Sequence, residues 1–326
     1  MKTLVTGGSG FIGSHVVERL CDKGMQVKCL SKDRLFTNDL TSLNVEIISG
    51  DLNGKLDWES ILYDVNLIYH IAGVTRAKNY KEYYEGNFQA TKNFIETCST
   101  CCNNLKRFVY VSSLTAVGPS LETKPVDENS DYHPVSDYGK SKMLAELEVL
   151  KFRNKIPITI LRPSAVYGPR ERDMYMYMKS IKRGVQMLIG FDKKYLNLIY
   201  ATDLADGIIA SSLNQTAEDQ VYFLGSEDSY PNEIIGETIA SILHKNAINL
   251  HIPHCMVFAI CGIEELMGKI FNKNVFLNIQ KAREITQSKW TCSIEKAKRD
   301  FNFIPKISLY EGFLNTFNWY KRMGWM

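Results

Sequence analysis

The stretch Lys2-Thr3-Leu4-Val5-Thr6-Gly7-Gly8-Ser9-Gly10-Phe11-Ile12-Gly13-Ser14-His15 decides the fold. Leu4 and Val5 begin a short apolar run that reads as a buried strand, and Val16, Val17 and Leu20 recur beyond the glycines at helical spacing. Strand, glycine turn and helix in that order lift the pattern above a chance run of glycines. Each glycine has a mechanical task. Gly7 lets the chain turn sharply off the strand, Gly10 lets backbone N–H groups approach a pyrophosphate, and Gly13 lets the helix pack close to the sheet. The helix N-terminus adds unpaired N–H groups and a partial positive charge toward those phosphates.

Composition sets the outer bounds. A chain of 326 residues fits one large α/β unit or two modest domains. Hydrophobic residues at 45% and charged residues at 23% are ordinary for a soluble globular protein. The net charge of +3 is small and scattered, so no nucleic-acid partner is expected. Eight cysteines show no framework spacing. Cys98-Ser-Thr-Cys101-Cys102 holds one CxxC, but no second CxxC or His pair completes a zinc set, and no metal site is expected. Free thiols fit a reduced, cytoplasmic protein. The N-terminus already reads as the first strand, so no leader is expected, and no apolar run approaches the ~18 residues of a membrane span.

Strands and helices alternate from here on, as in a parallel sheet with right-handed crossovers. Strands are expected at Gln26–Leu30, Val45–Ser49, Leu67–Ile71, Arg107–Val111 and Ile158–Leu161. Helices are expected from about Tyr83 to Cys101 and, after a loop from Pro134, through Tyr138 and Lys142 to Leu150. The second strand ends Ser31-Lys32-Asp33-Arg34, where an NAD site would place an acid to hold the ribose diol. Here the acid is missing from the tip and two bases lie close by, which fits either a solvated loop or a 2′-phosphate site. Beyond Pro169 the rhythm changes to a mostly helical pattern. The expected fold class is α/β: a doubly wound parallel Rossmann sheet over 1–169, and a smaller, mostly helical C-terminal substrate lobe over 170–326 within the same folding unit.

Tyr138-Gly-Lys-Ser-Lys142 puts a phenol and an ammonium four residues apart, hence on one helix face. A free tyrosine, with a pKa near 10, is a poor base at neutral pH, and a nearby ammonium favours its phenolate. YxxxK alone means little. After a dinucleotide turn and a Ser112-Ser113-Leu114-Thr115 strand end it means a good deal.

With these motifs in order the sequence resembles the extended short-chain dehydrogenases/reductases, the NAD-dependent epimerase/dehydratase family. The matches run nearly end to end. Thr6 to Gly13 fits the family's cofactor turn, Gly50-Asp51-Leu52 its adenine contact, and His70-Ile71-Ala72-Gly73 the strand end beside the cofactor. Asn87 with Thr91 and Asn93 fits its central helix, and Leu161-Arg162-Pro163 through Tyr167-Gly168-Pro169 its sixth strand. Tyr200 to Ala205 and Phe303-Ile304-Pro305 through Tyr320 fit its second lobe and ending. The resemblance implies an enzyme in which Tyr138 is the acid or base, Lys142 binds the nicotinamide ribose and lowers the tyrosine pKa, and Thr115 hydrogen-bonds the substrate oxygen. It implies a cofactor site built from Gly7, Gly10, Phe11, Ile12, Gly13, Lys32, Asp51, Leu52, Ala72, Gly73, Asn87, Tyr138, Lys142 and Pro163. Lys32, with Arg34 near it, points to NADP, with NAD possible. The resemblance also implies a homodimer through the helices at Tyr83–Cys101 and Tyr138–Leu150.

Substrate is where the sequence departs from the nucleotide-sugar members. Ala165 stands where they carry Asn in Arg-x-x-Asn-x-Tyr-Gly-Pro, and Leu114 and Ala116 flank Thr115 where 4,6-dehydratases have an acid and a lysine. Arg162-Pro163 and Gly168-Pro169-Arg170 look closer to the 3β-hydroxysteroid dehydrogenase and dihydroflavonol reductase branches. Lys179, Lys182 and Arg183 offer charge for a diphosphate, or form a solvated helix face. Met174, Met176 and Met178 line a cleft or pack in a core, and Cys255–Ile263 reads as a buried or cleft-lining helix, with surface attachment the alternative. His251-x-x-His254 reads as a loop pair. A small-molecule substrate is expected, a hydrophobic ketone or secondary alcohol, with a nucleotide-sugar epimerase or 4-keto reductase as the alternative.

Overall fold

The computed structural model describes residues 1–32, 43–121, 123–271 and 277–326. The chain begins with β1 (Lys2–Thr6), α1 (Phe11–Asp22), β2 (Gln26–Ser31), β3 (Val45–Ser49), α2 (Trp58–Leu62) and β4 (Leu67–His70). It continues through α3 (Tyr80–Tyr83), a π-helical stretch (Tyr84–Gln89), α4 (Ala90–Cys101), β5 (Arg107–Val111), α5 (Leu114–Val117), α6 (Asp137–Leu150) and β6 (Ile158–Pro163). Then come β7 (Ala165–Tyr167), α7 (Arg172–Lys182), β8 (Val185–Ile189), β9 (Tyr195–Tyr200), α8 (Ala201–Leu213), β10 (Gln220–Leu224) and β11 (Ser229–Pro231). The last elements are α9 (Asn232–Ile242), β12 (Ile248–Ile252), α10 (His254–Ile270), α11 (Ile279–Ile285), β13 (Lys289–Trp290), α12 (Glu295–Phe301) and α13 (Leu309–Arg322).

Seven strands form one parallel sheet in the order β10-β6-β5-β4-β1-β2-β3. Its strands are apolar on both faces because both are covered. Val5, Tyr69 and Val109 point into a core with α1 and α8, while Leu4, Ile68 and Phe108 point into a second core with α4 and α6. The strand order reverses between β1 and β4. Crossovers leave that point in opposite directions, so a crevice opens beyond the strands' C-terminal ends, which is where open α/β sheets hold ligands. After residue 170 the chain returns to the sheet, with α8 packing on α1 and β10 pairing with β6. A third core, around Tyr167, Met178, Ile181, Ile239 and Phe313, holds α7, α9 and α13 against small sheets formed by β7, β9, β11 and β13 and by β8 and β12.

The expected elements are present with shifted ends. The helix expected from Tyr83 begins at Tyr80 and passes through the π-helical stretch before α4. Arg34 lies outside the described residues. Cys255–Ile263 belongs to α10, and it is neither buried nor cleft-lining: only Val257 and Cys261 of that run are covered, by α11 and the β8–β12 edge, and the outer face meets solvent. Among the described residues no helix is long and apolar enough to cross a membrane.

A buried polar chain pins β4 to its neighbours. Thr6 Oγ1 lies 2.7 Å from His70 Nδ1, and His70 Nε2 lies 2.9 Å from Thr91 Oγ1. Burial, aided by the Lys142 charge, holds the His70 pKa down to about 3. Unfolded histidine titrates near 6.5, so at pH 5 the unfolded chain takes up a proton that the folded chain refuses. Stability from this group is complete above pH 6.5 and lost as the pH falls. We predict that denaturant unfolding shows a loss of about 2 kcal/mol from His70 between pH 7 and pH 5. The His70→Gln variant should lose that share of the slope; an unchanged slope would refute the assignment.

Candidate active site

At the switch point the crevice widens into a cleft of about 1290 Å³. One wall is the glycine turn. Gly7 has φ +72°, and a Cβ there would lie 2.7 Å from the Ala72 backbone. A Cβ on Gly13 would lie 2.1 Å from the Gly7 carbonyl oxygen, so no side chain fits. Gly10 caps α1 without a side-chain hydrogen bond, and the first turn carries no acid. The early N–H groups of α1 therefore face the cleft without a built-in anion.

The far end of this half is formed by β2 and the loop after β3. Lys32 Nζ sits 2.8 Å from Asp51 Oδ2, and Lys32 together with an N–H from Asn53 holds the Asp51 carboxyl below the usual range. Ser31, at the acid-less strand tip, is buried and donates to Ser9 Oγ at 2.9 Å. Ser31 thus ties the strand end to the glycine turn.

The opposite half carries the phenol and the ammonium. Both stand on α6, whose first turn is capped by Ser136 Oγ accepting from Gly139 N–H at 3.1 Å. Lys142 is buried; its Nζ donates to the Val111 carbonyl at 2.7 Å and lies 4.6 Å from the Tyr110 ring. Burial pulls its pKa down to about 7, against the pull of Glu146. Tyr138 is half-buried at the cleft wall. Burial and the nearby Glu284 carboxylate raise its pKa, and a hydrogen bond with Ser113 opposes them. The phenol is therefore held above its ordinary value here, because the lost solvation and Glu284 outweigh the hydrogen bond.

Ser113 is the hydroxyl that favours the Tyr138 phenolate. Its Oγ accepts from Thr115 N–H at 3.1 Å and from Thr115 Oγ1 at 2.8 Å. With its lone pairs occupied by Thr115, the Ser113 hydroxyl has its proton left for the phenol oxygen. Thr115 borders the cleft but bonds to Ser113. The sequence contained the serine, yet only the capping geometry of α5 decides which hydroxyl points at Tyr138.

Of the expected cofactor residues, Gly7, Gly10, Phe11, Ile12, Gly13, Lys32, Asp51, Leu52, Ala72, Gly73 and Tyr138 line the cleft, as does Thr115. Asn87, Lys142 and Pro163 stand behind it. Asn87 lies in the π-helical stretch, accepts from Val74 N–H at 2.6 Å and donates to Ser141 Oγ at 2.9 Å. It joins the loop after β4 to α6. One turn beyond Lys142, Glu146 forms a fully buried ion pair with Arg162 at 2.8 Å, and Tyr132 donates to the same carboxylate at 2.8 Å. Ser112 donates to its other oxygen. This network fastens α6 to β5 and β6.

Several cleft residues were invisible to sequence reading. Gln280, Lys281 and Glu284 enter from α11, and Trp319, Met323 and Trp325 from the C-terminal segment. Gln280 accepts from Asp137 N–H at 3.0 Å and Glu284 from Ser136 Oγ at 2.6 Å, so α11 latches onto the start of α6. Of the two readings open for the methionines, packing in a core is the one found: Met178 is buried in the third core and Met174 packs against it, while Met176 faces solvent and none of the three lines the cleft. Lys179, Lys182 and Arg183 also lie outside the cleft lining. Its outer cations are instead Arg76, Arg170, Arg172 and Lys281. Three of these are paired with acids: Arg76 with Asp173, Arg170 with Glu18, and Lys281 with Glu284.

The model of the NAD dependent epimerase/dehydratase family matches residues 3–225. The chain belongs to this family. It is 26% identical to sterol-4-alpha-carboxylate 3-dehydrogenase, decarboxylating, of Mus musculus, over 97% of this chain and 90% of that one. It is 27% identical to the N-acetyl-alpha-D-glucosaminyl-diphospho-ditrans,octacis-undecaprenol 4-epimerase of Escherichia coli O157:H7, over 78% and 76% of the two chains. Among solved structures, UDP-glucuronic acid 4-epimerase from Bacillus cereus superposes with a TM-score of 0.81 at 23% identity, covering 99% of this chain and all of that one. The protein is therefore an enzyme of the dehydrogenase/epimerase type on an α/β Rossmann sheet.

The Glu146–Arg162 pair makes a stability prediction for this family member. Removing one partner of a buried pair leaves the other charge uncompensated, at a cost of roughly 3–5 kcal/mol. Glu146→Ala should lower the melting temperature by at least about 6 °C, read by circular dichroism. A shift within 1–2 °C, roughly that of a surface change, would show that the pair carries little of the fold.

Proposed function

We propose that this protein exchanges a hydride between NAD(P) and a secondary alcohol or ketone on a hydrophobic substrate. The observation that carries this is Tyr138 on the wall of a cleft whose other end is a glycine turn fit for a pyrophosphate, with Ser113 and Lys142 set just behind that wall. When bound, the cofactor supplies the hydride chemistry and a cationic oxidised ring. In this reading Ser113 and Tyr138 bind the substrate oxygen, and Tyr138 gives or takes its proton. Lys142 and Gly73 face the ribose side, and Asn87 holds Gly73's loop against α6. The oxidised ring's charge opposes that of Glu284 and brings the phenol toward working range.

Three observations support a hydrophobic substrate over a nucleotide sugar. Ala165 has no donor for a diphosphate. Three of the four outer cations are matched by carboxylates of their own. Trp319, Met323 and Trp325 give the outer wall an apolar surface. Two relatives are named for sterol and undecaprenol-linked substrates. The alternative is a nucleotide-sugar epimerase, favoured by solved relatives that hold NAD with UDP-sugars and by the exposed Arg172 at the cleft. For the cofactor, Lys32 supports NADP, whereas solved relatives hold NAD. A two-fold dimer through α4 and α6 belongs to the same proposal, with partly exposed Phe88 and Leu147 on its surface, and sedimentation of the purified protein reads it.

Tyr138→Phe should keep cofactor affinity and lose about 10²–10⁴-fold in kcat. Ser113→Ala should lose more kcat than Thr115→Val, since it is Ser113, not Thr115, whose hydroxyl favours the phenolate; the reverse order would return the oxygen-binding role to Thr115. A thermal-shift panel with NADH, NADPH, hydrophobic ketones and nucleotide sugars decides between the substrate readings. Millimolar ligand with a micromolar dissociation constant stabilises by about 4 kcal/mol, so binding is easily seen. We expect NADPH above NADH and no shift with UDP- or dTDP-sugars. A clear shift with UDP-glucose would promote the epimerase reading.

A further inference from the structure

The outer face of α10 is apolar from end to end. Met256, Ile260, Ile263, Met267 and Ile270 recur at spacings of four and three, which places them on one stripe, and each is between 45% and 65% exposed. Phe271 just beyond is 61% exposed. The only charged side chains on the helix are Glu264, Glu265 and Lys269, and Lys269 is paired with Glu265 at 2.7 Å.

The same surface continues onto the β8–β12 pair. Leu250 pairs with Met187 and Ile252 with Ile189, so these four share a face with Ile248. Ile189 and Ile252 pack under α10, while Ile248, Leu250 and Met187 stay exposed, Ile248 at 76%. An uncovered apolar surface spanning a helix and a sheet face marks a contact site.

Charge says what kind of contact. Across 182–194 and 244–271, six Lys and Arg residues stand against three Asp and Glu. Lys182, Arg183 and Lys245 cluster where β8 and β12 begin, next to Ile248, whose N–H donates to the Gly184 carbonyl. Lys193 follows the 76%-exposed Phe191 at the other end. These four bases are exposed, and none is in an ion pair among the described residues. A second copy meeting this face with its own would bring the same apolar helix and the same bases, with no acidic cluster among the described residues of that face to meet them. A bilayer carrying anionic headgroups matches both: acyl chains for the stripe, headgroup charge for the rim.

We propose that α10 and the β8–β12 face dock this protein onto an anionic lipid surface. The inner stripe of α10 packs on α11, and α11 lines the cleft with Gln280 and Glu284, so docking holds the cleft beside the bilayer. The inference does not depend on which substrate the cleft takes.

The full-length protein is sedimented with vesicles of phosphatidylcholine alone and of phosphatidylcholine containing phosphatidylserine. We expect binding to the anionic vesicles, weaker binding to the neutral ones, and loss of binding at high salt. Ile263→Glu/Ile270→Glu and, separately, Lys182→Glu/Arg183→Glu/Lys245→Glu should each weaken it by about tenfold or more. All these side chains are exposed, so unchanged melting temperatures show that the variants are folded. Three results would overturn the proposal: no binding to anionic vesicles, binding that neither set of substitutions weakens, or sedimentation velocity showing a self-associated chain that Ile263→Glu separates.

Discussion

Among the described residues the tightest approach of a glycine to backbone is at the β1–α1 turn, and the rest of the site depends on it. Gly13 approaches the Gly7 carbonyl so closely that a Cβ would sit 2.1 Å away, and Gly7 approaches Ala72 of the next strand end. Those contacts bring the start of α1 down onto the C-terminal ends of β1 and β4 at once. The N–H groups that α1 cannot satisfy internally are thereby aimed across the switch point, instead of being spread along a loop. Everything the cleft can hold is measured from that origin.

The inner end is organised on a different principle, by buried charges that must be matched. Lys142 is solvated by a carbonyl and an aromatic ring, and Glu146, one turn on, is matched by Arg162, Tyr132 and Ser112. These groups lie on α6, β5 and β6 and in the loop ahead of α6, so the helix bearing Tyr138 has little freedom to rotate. Preorganisation of this kind holds a half-buried phenol in one orientation beside Ser113. Glu284, arriving from α11, then sets the local field from the substrate side.

The sequence made the first half of the chain legible because its signals are local. The glycine turn, the apolar strands and the four-residue spacing of Tyr138 and Lys142 each fit within about fifteen residues, where periodicity and backbone constraint act directly. The choice of Ser113 over Thr115 was not legible, because it depends on how a short helix caps itself. The α11 latch and the tryptophan wall were hidden for another reason: Gln280, Glu284 and Trp325 reach the cleft from more than a hundred residues beyond Tyr138. The methionine run left cleft and core both open because a helix with apolar groups on several sides does not say which side faces a core and which a ligand. Cys255–Ile263 misled, since an apolar run normally argues for burial and this one keeps its stripe in solvent.

The edge strand β10 carries a consequence for how the molecule is made. Gln220 pairs with Thr159 on β6, across about sixty residues that include all of α7 and α8. A nascent chain that has emerged only as far as β6 has six of its seven strands and leaves the mostly apolar β6 edge open, with one covering helix, α8, still unsynthesised. Such an edge is a template for pairing with another chain until the segment from α8 to β10 arrives to close it. The interval between synthesis of β6 and synthesis of β10 is thus the stage of biogenesis at which this protein is most exposed to aggregation. Substitutions in Gln220–Leu224 that slow docking would act there first, lowering the yield of folded protein out of proportion to their effect on its final stability.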